Sequence, residues 1–329
     1  MRDRIVISCA EKMKITAENK QGFDTPILFV VFNRPDTTKV VFDAIRKIAP
    51  KKLYISADGP REDVPTDLEN CRAVLDIVKN IDWDCECRTL FRENNFGCGL
   101  GPSMAFDWFF ENEEEGIILE DDCLPDPSFF PYCQELLEKY RHDTRIMHIS
   151  GSNFQYGWQW DKDASYYFSK NPHEWGWASW RRAWKSFDFR TKSFPEVVGK
   201  KYLRGYFSSR LEERYRLGKI NETYNNPSAP HWWDYQWAFA ININSGLAVT
   251  PNVNMIKNIG FGENATHTLS ANDRRAKNKL QAMQFPLKHP HFILHDAISD
   301  RKYFNTLIFQ KLVRKTLGLL RIDGYTTVG

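Results

Sequence analysis

The chain has 329 residues, of which 42% are hydrophobic, and its formal net charge is +3. That length allows one large or two ordinary domains with a substantial core. A charge so close to balance argues against a nucleic-acid partner. The longest apolar run in the body of the chain, 27–32, is far too short to span a bilayer.

The seven cysteines form no CxxC pair, and no histidine lies at zinc-finger spacing from them. We therefore interpret them as reduced thiols of a cytoplasmic protein. The apolar piece near the N-terminus, 5–10, is followed by Glu11 and Lys12 and is too short for the apolar region of a signal peptide.

Residues 1–24 are polar and weakly patterned, so they form either a loose tail or an added edge strand. Strands are predicted at 26–32, 53–57, 87–91 and 117–119, each followed by a helix, the third of them near Ser103 to Glu111. This alternation predicts an α/β fold, in which a mostly parallel, Rossmann-like sheet is flanked by helices on both faces.

Right-handed crossovers place the four strand-to-helix loops at one edge of such a sheet, where open α/β sheets bind ligands. These loops carry Asn33 and Arg34, Asp58, the glycine-rich stretch 94–101, and the acids 120–122. An arginine and backbone N–H groups suit phosphates, and Asp58 suits a base or ribose. The range 25–150 is therefore the predicted nucleotide-binding half.

Three carboxylates, Glu120, Asp121 and Asp122, follow the fourth predicted strand at once. On an extended chain Glu120 and Asp122 share a face, and such close like charges repel. Mg²⁺ or Mn²⁺, which prefer oxygen ligands, would relieve that repulsion. The alternative is a solvated turn that caps the helix beginning near Ser128.

The glycine-rich stretch holds Gly97, Gly99 and Gly101 ahead of a predicted helix. Glycines let a backbone approach a ligand closely, and a helix start favours anions. The stretch is neither a Walker A loop nor a dinucleotide fingerprint, because no Lys-Ser/Thr pair follows and Pro102 breaks the spacing. Glycines that only make a tight turn are the alternative.

The second half, 151–270, is rich in aromatic residues, which suits either a carbohydrate-handling surface or an aromatic-rich core. The stretch HEWGWASWRRAW, 173–184, places Glu174 among four tryptophans. In HWWDYQW, Asp234 is flanked by aromatic residues, which suits a general base with a raised pKa or an N-cap for the helix that follows. His267 lies in a glycine-containing loop, where a structural role is the alternative.

From Pro26 to Thr268 the chain resembles GT-A-fold nucleotide-sugar glycosyltransferases of the N-acetylglucosaminyltransferase I type. The resemblance is carried by PILFVVFNRP, ISADG, the glycine stretch with its helix, ILEDDCLPDPSFFPY, HISGSN, EWGWASWRRAW, HWWDYQW and GFGENATHT. The acidic motif is the most specific of these. The resemblance implies a GT-A catalytic domain over 25–270, in which 151–270 would be the acceptor half.

The resemblance also implies roles for individual residues. Asp122 would be the direct ligand of Mn²⁺ or Mg²⁺, and Asp234 the general base, with Glu174 as a second catalytic candidate. The nucleotide-sugar contacts it implies are Phe32, Asn33, Arg34, Asp58 (to uracil), Asn95, Gly99, Gly101, Glu120, Asp121, Trp177 (to sugar) and His267 (to the diphosphate). The sequence has WWDY where the animal enzymes have two adjacent acids.

Together these features predict a metal-dependent inverting glycosyltransferase that moves a sugar from a UDP-sugar to a glycan or lipid-linked acceptor. A sugar-nucleotide nucleotidyltransferase is the first alternative, although the glycine-rich Lys/Arg signature usual after its first strand is missing here. A non-catalytic sugar-binding protein on the same fold is the second.

The remaining range, 271–329, is predicted to be an extension with a basic amphipathic helix at 303–320. Its apolar positions spread over one broad face, and Gln310, Lys311, Arg314 and Lys315 fall on the other. Such a helix suits peripheral contact with the inner face of an anionic membrane. Packing of the apolar face on the catalytic domain is the alternative.

Overall fold

The computed structural model describes residues 22–226, 232–261, 274–275 and 277–323, with the backbone alone for 314–323. These residues form ten strands and nine helices. The strands are β1 Ile27–Val31, β2 Lys52–Ala57, β3 Glu86–Phe91, β4 Glu115–Glu120, β5 Cys123–Pro125, β6 Ile146–Ser150, β7 Tyr166–Ser169, β8 Trp177–Trp180, β9 Leu247–Pro251 and β10 Ile256–Asn258. The helices are α1 Pro35–Ile48, α2 Asp67–Val78, α3 Gly97–Asn112, α4 Phe129–Tyr140, α5 Arg181–Trp184, α6 Phe194–Gly199, α7 Arg210–Asn225, α8 Asp234–Ile243 and α9 Ala297–Asp323.

Eight strands form the central sheet in the order β3-β2-β1-β4-β8-β6-β9-β7. Strands β1 to β4 run parallel to one another, and β8 and β7 are the two that run antiparallel to their neighbours. The predicted α/β fold class, with a mostly parallel sheet flanked by helices, is confirmed. Because the first four strands are parallel, their carboxyl ends meet at one edge, and 32–34, 58, 92–96 and 121–122 lie there.

The core occupies both faces of the sheet because the central strands are apolar on both sides. In β1, Ile27 and Phe29 pack with α1 and α4, whereas Leu28 packs with the aromatic residues of α3 and α8. A polar residue on either side of this strand would be buried away from water, which would destabilise the fold unless it found a hydrogen-bond partner.

Two antiparallel additions were not predicted from the sequence. Strand β8 lies between β4 and β6, and the short strand β5 pairs with β10. The tryptophans of β8 obscured its strand pattern, since aromatic residues suit several kinds of buried structure. Strand β8 thereby connects the parallel strands β1 to β4 with the later strands of the sheet.

Helix α3 begins at Gly97 and not near Ser103, so the expectation of a glycine-rich loop is wrong. Asp58 explains the earlier start, because its Oδ2 accepts hydrogen bonds from the backbone N–H groups of Phe96 and Gly97, at 2.9 and 3.1 Å. Gly97 itself has φ +76°, which a side-chain-bearing residue rarely adopts.

The segment 277–300 runs along the later strands and is tied to them by backbone hydrogen bonds. The bonds join Gln281 N to Asn254 O (2.8 Å), Ser165 N to Lys288 O (2.7 Å) and Asp296 N to Phe168 O (2.8 Å). At the other end of the described chain, Phe23 forms an isolated β-bridge with Pro50. Residues 1–21, which make up most of the predicted N-terminal tail or edge strand, lie outside the described residues.

The described cysteines form no disulfide, in agreement with the predicted reduced state: Cys71, Cys85, Cys87, Cys98, Cys123 and Cys133. Within the described part of the chain, no helix combines the length and hydrophobicity that a bilayer crossing requires.

Candidate functional site

The acid cluster at the end of β4 is paired with Arg34, which follows β1. The Arg34 guanidinium contacts Asp122 Oδ2 at 2.9 Å and also hydrogen-bonds Asp121 Oδ1. Asp121 accepts a further hydrogen bond from the Phe32 backbone N–H (3.2 Å), which holds the two neighbouring loops together. Gly260 covers the Arg34–Asp122 pair so closely that a Cβ there would lie 2.6 Å from both side chains.

Burial and repulsion between the carboxylates raise the pKa values of two acids in this cluster. Burial and the charges of Asp122 and Asp121 raise the pKa of Glu120 to about 8. Burial likewise raises the pKa of Asp121 to about 6, although Arg34 opposes that shift. The neutral form of Glu120 is thereby favoured, as expected where three carboxylates share one guanidinium in a buried cluster.

The excess of carboxylates over cations fits a divalent metal ion at this cluster. Asp122 is the more accessible candidate ligand, since its side chain is 13% exposed and that of Asp121 is 3% exposed. The described residues hold no group of three His, Cys, Asp or Glu side chains arranged for a metal. Mg²⁺ commonly takes only one or two carboxylates and completes its shell with phosphate and water oxygens, so a single carboxylate such as Asp122 would be enough to anchor it.

The rest of the first loop is bound to α2. Asn33 donates from Nδ2 to Asp67 Oδ1 (2.7 Å), and Asp67 also forms an ion pair with Arg61 (2.6 Å). The Arg61 guanidinium in turn lies 5.5 Å from the Phe32 ring centroid. The Asn33 side chain therefore ties the loop after β1 to the first residue of α2.

Asp58 keeps one oxygen for a further partner. While Oδ2 caps α3, Oδ1 is buried and has no hydrogen-bond partner among the described residues. Burial raises the pKa of Asp58. The other predicted contacts nearby have structural roles, because Asn95 donates to Gly59 O (2.8 Å) and Gly99 and Gly101 lie buried inside α3.

Asp234 and Glu174, the two predicted catalytic acids, line one pocket of about 320 Å³. Asp234 is the first residue of α8, where the helix dipole favours negative charge. Glu174 belongs to the loop before β8. Burial, and then the charge of Asp234, raise the pKa of Glu174 well above its ordinary value.

The pocket and the acid cluster belong to one electrostatic environment. The charge of Asp234 contributes to the raised pKa of Glu120, and the charge of Glu120 contributes to that of Glu174. The structure therefore brings together residues of β4, the loop 171–176 and α8.

A buried histidine links the two acid-bearing elements. His148 Nδ1 accepts a hydrogen bond from Trp237 Nε1 (3.2 Å), one turn after Asp234. The opposite ring nitrogen, Nε2, must then carry the proton and donate to His173 O (3.1 Å), next to Glu174. Burial lowers the pKa of His148 to about 3, so the ring stays neutral in this role.

The sugar contact expected of Trp177 requires correction. Its side chain is 0% exposed and packs against Phe106, Trp233 and His148, so it offers no face to a ligand. Trp175, two residues earlier, lines the pocket instead. In an unbroken strand, residues 175 and 177 would share a face, but Gly176 between them has φ +59° and interrupts the extended chain, so the two tryptophans lie in different environments.

Helix α9 supplies a pocket wall that the sequence analysis missed. Tyr303, Thr306, Leu307 and Gln310 line the pocket, and their spacing of i, i+3, i+4 and i+7 marks one helix face. This face includes Gln310, and Lys311 lines the pocket beside it, so two of the polar residues placed opposite the apolar face contribute to the pocket. His267 lies outside the described residues.

The sequence matches no protein-family model, and a search of curated proteins found no match. Among solved structures, HddC from Yersinia pseudotuberculosis shares 6% identity and a TM-score of 0.28, over 48% of this chain and 77% of that one. A 4-diphosphocytidyl-2C-methyl-D-erythritol synthase from Anaerococcus prevotii shares 10% identity and a TM-score of 0.27, over 60% of this chain and 84% of that one. At this similarity neither neighbour carries a functional conclusion.

Proposed function

We propose that this protein is a metal-dependent inverting glycosyltransferase of the GT-A type, which transfers a sugar from a UDP-sugar to a hydroxyl of a glycan or lipid-linked acceptor. The main support is that Asp234 and Glu174 line one pocket whose charges reach the acid cluster at the sheet edge. A donor at the edge and an acceptor in the pocket would then meet between them.

The donor end is assigned to the loops after β1, β2 and β4. The unpartnered Oδ1 of Asp58 suits a donor group such as the N3–H of uracil. Arg34 would turn its charge toward the diphosphate, and a cation anchored by Asp122 would stabilise the departing UDP as a Lewis acid.

The acceptor end is assigned to the pocket. Asp234 would take the proton from the attacking hydroxyl, as a general base must lie within hydrogen-bond reach of it. Glu174, whose raised pKa favours the protonated form, would donate a hydrogen bond that holds acceptor or sugar in place. A pocket in which one acid accepts a proton and the other donates a hydrogen bond suits this division of work.

We also propose that the protein works at the inner face of the cytoplasmic membrane. The end of α9 with described side chains exposes Phe309 and Leu312, at 66% and 59%. An apolar strip of this kind, followed by basic residues in the sequence, suits the interface of an anionic bilayer.

Titration calorimetry with UDP, with and without Mn²⁺, tests the donor site first. The transferase predicts binding that strengthens with the metal and that Asp122→Asn weakens. Incubation with a panel of UDP-sugars should then release UDP. A nucleotidyltransferase would instead release pyrophosphate from UTP and a sugar phosphate, and a sugar-binding protein would turn over neither.

A further inference from the structure

The pocket beside Asp234 has a composition that narrows its ligand. Three cationic side chains, Arg216, Arg275 and Lys311, line its described part. They come from α7, from the segment after 261 and from α9, so the fold collects them from distant parts of the chain.

These cations are held in place by aromatic neighbours. The Arg275 guanidinium lies 5.9 Å from the Trp175 ring centroid, and Lys311 Nζ lies 4.3 Å from that of Tyr215. Lys311 also donates a hydrogen bond to the Tyr215 hydroxyl rather than to a carboxylate. Charges fixed over ring faces are ordered before any ligand arrives.

Arg216 lies deeper and keeps one donor nitrogen. Its Nε forms an ion pair with Glu212 (3.0 Å), and its Nη2 donates to Asn171 Oδ1. Among the described residues, Nη1 has no hydrogen-bond acceptor. A guanidinium fixed on two sides presents its remaining nitrogen in a defined direction, which suits a carboxylate or phosphate oxygen.

The carboxylates of the wall do not cancel these charges. The described lining holds two acids, Glu174 and Asp234, against three cations, and burial and the charge of Asp234 raise the pKa of Glu174 well above its ordinary value, which favours its neutral form. The uncharged remainder is rich in rings, including Tyr156, Trp175 and Tyr303, which suit the faces of a sugar.

We infer that the pocket binds an acidic sugar, so that the acceptor carries a carboxylate or a phosphate recognised by Arg216, Arg275 and Lys311. This inference rests on the proposed transferase function and names the chemical class of its acceptor. The shared chemistry is an anionic oxygen group on a pyranose ring.

Three probes that differ only at carbon 6 test it: glucose, glucuronic acid and glucose 6-phosphate. Saturation-transfer NMR titrations on the full chain, without donor, measure each affinity. The variants are Lys311→Gln and Arg275→Gln, with Lys39→Gln on α1 as a matched exposed control. Each pocket variant should weaken the acidic probes roughly 10-fold, as expected for a lost charge-assisted hydrogen bond, and leave glucose unchanged.

The preferred acid, carboxylate or phosphate, will be the probe that binds tighter to the wild-type protein. Equal affinity for glucose and both acidic probes, undetectable binding of the acidic probes, or variants that bind like Lys39→Gln would overturn the inference. UDP titrations on the same variants keep the two proposals separate. A protein that binds acidic sugars through Lys311 and Arg275 but not UDP would support the pocket's specificity and refute the transferase.

Discussion

At the scale of single residues, the pair Asp234 and Glu174 makes opposite predictions for the same chemical change. Asp234→Asn removes the base and should lower kcat by roughly 10²-fold or more. Glu174→Gln imitates a protonated carboxyl group, so it should retain most of the activity. Steady-state rates of UDP release measure both.

The control is UDP affinity, which neither substitution should change, since both side chains lie on the acceptor side. If Glu174→Gln loses as much activity as Asp234→Asn while folding normally, Glu174 is ionised in the working enzyme and the division of roles is wrong.

Asp121 and Asp122 also form a matched pair, since both contact Arg34 but differ in exposure. Asp122→Asn should weaken Mn²⁺-dependent binding of UDP and leave the melting temperature nearly unchanged. Asp121→Asn should instead destabilise the fold, because a buried charge-assisted hydrogen bond contributes about 1.5–3 kcal/mol. Calorimetry and thermal melting of both variants decide whether metal and fold depend on different acids.

These residues show which features of the site can be predicted from the sequence and which cannot. The position of the acids at the end of β4 follows from the strand pattern and the sheet topology, whereas a shared site for Asp234 and Glu174 is implied only by the family resemblance. The cap that Asp58 places on α3 does not, because the partners lie 38 and 39 residues away and only the folded chain brings them together. The burial of Trp177 was equally hidden, since its neighbours come from α3, β6 and the approach to α8.

At the scale of elements, α9 carries two different surfaces along its length. Phe304 is 1% exposed, whereas Phe309, less than two turns later, is 66% exposed. Phe304→Ala should therefore cost about 3–5 kcal/mol of unfolding free energy, as for other buried phenylalanines. Phe309→Ala should change it by less than about 0.5 kcal/mol, as is usual for exposed positions. Urea unfolding of the two variants measures the contrast.

The outward surface of α9 carries the membrane proposal. The double variant Phe309→Ser/Leu312→Ser should stay folded and lose most of its co-sedimentation with anionic vesicles, because these are the two most exposed large apolar side chains among the described side chains of α9. Neutral vesicles serve as the control. Wild-type protein that remains in the supernatant with anionic vesicles would contradict membrane contact.

The orientation of α9 shows why helical periodicity alone was insufficient. A hydrophobic pattern identifies an apolar face of a helix, but it does not predict which polar residues line a pocket. In α9, polar residues line the side that faces the pocket. Gln310 and Lys311 therefore point toward the protein, and Phe309 and Leu312 point away. Which face packs inward was decided by Tyr215, Glu174 and the other pocket residues, all distant in sequence.

At the scale of the whole molecule, two buried histidines make stability depend on pH. Burial lowers the pKa of His148 to about 3 and that of His173 to about 4, below the ordinary value of 6.5. The unfolded chain therefore binds more protons between these values. The stability that these two histidines contribute is fully present above about pH 6.5 and is lost as pH falls toward 4.

Taken alone, each histidine should make the unfolding free energy from urea titrations higher at pH 7.5 than at pH 5 by up to about 2 kcal/mol, whereas Glu120 and Asp121, whose pKa values are raised, oppose that difference. His148→Gln should reduce that difference, since glutamine does not titrate. The same variant should lower kcat through the displaced loop and helix. A pH dependence identical to that of the wild type would show that His148 is not the titrating group.

The wall that α9 contributes has a consequence for how such a protein diversifies. The acids and the sheet edge come from scattered positions before residue 261, whereas one wall of the acceptor pocket is a single run from Tyr303 to Lys311. One recombination crossover ahead of α9 would exchange that wall and leave the donor machinery intact. Chimeras made this way should keep their affinity for UDP and take on the acceptor preference of whichever parent supplied the final helix.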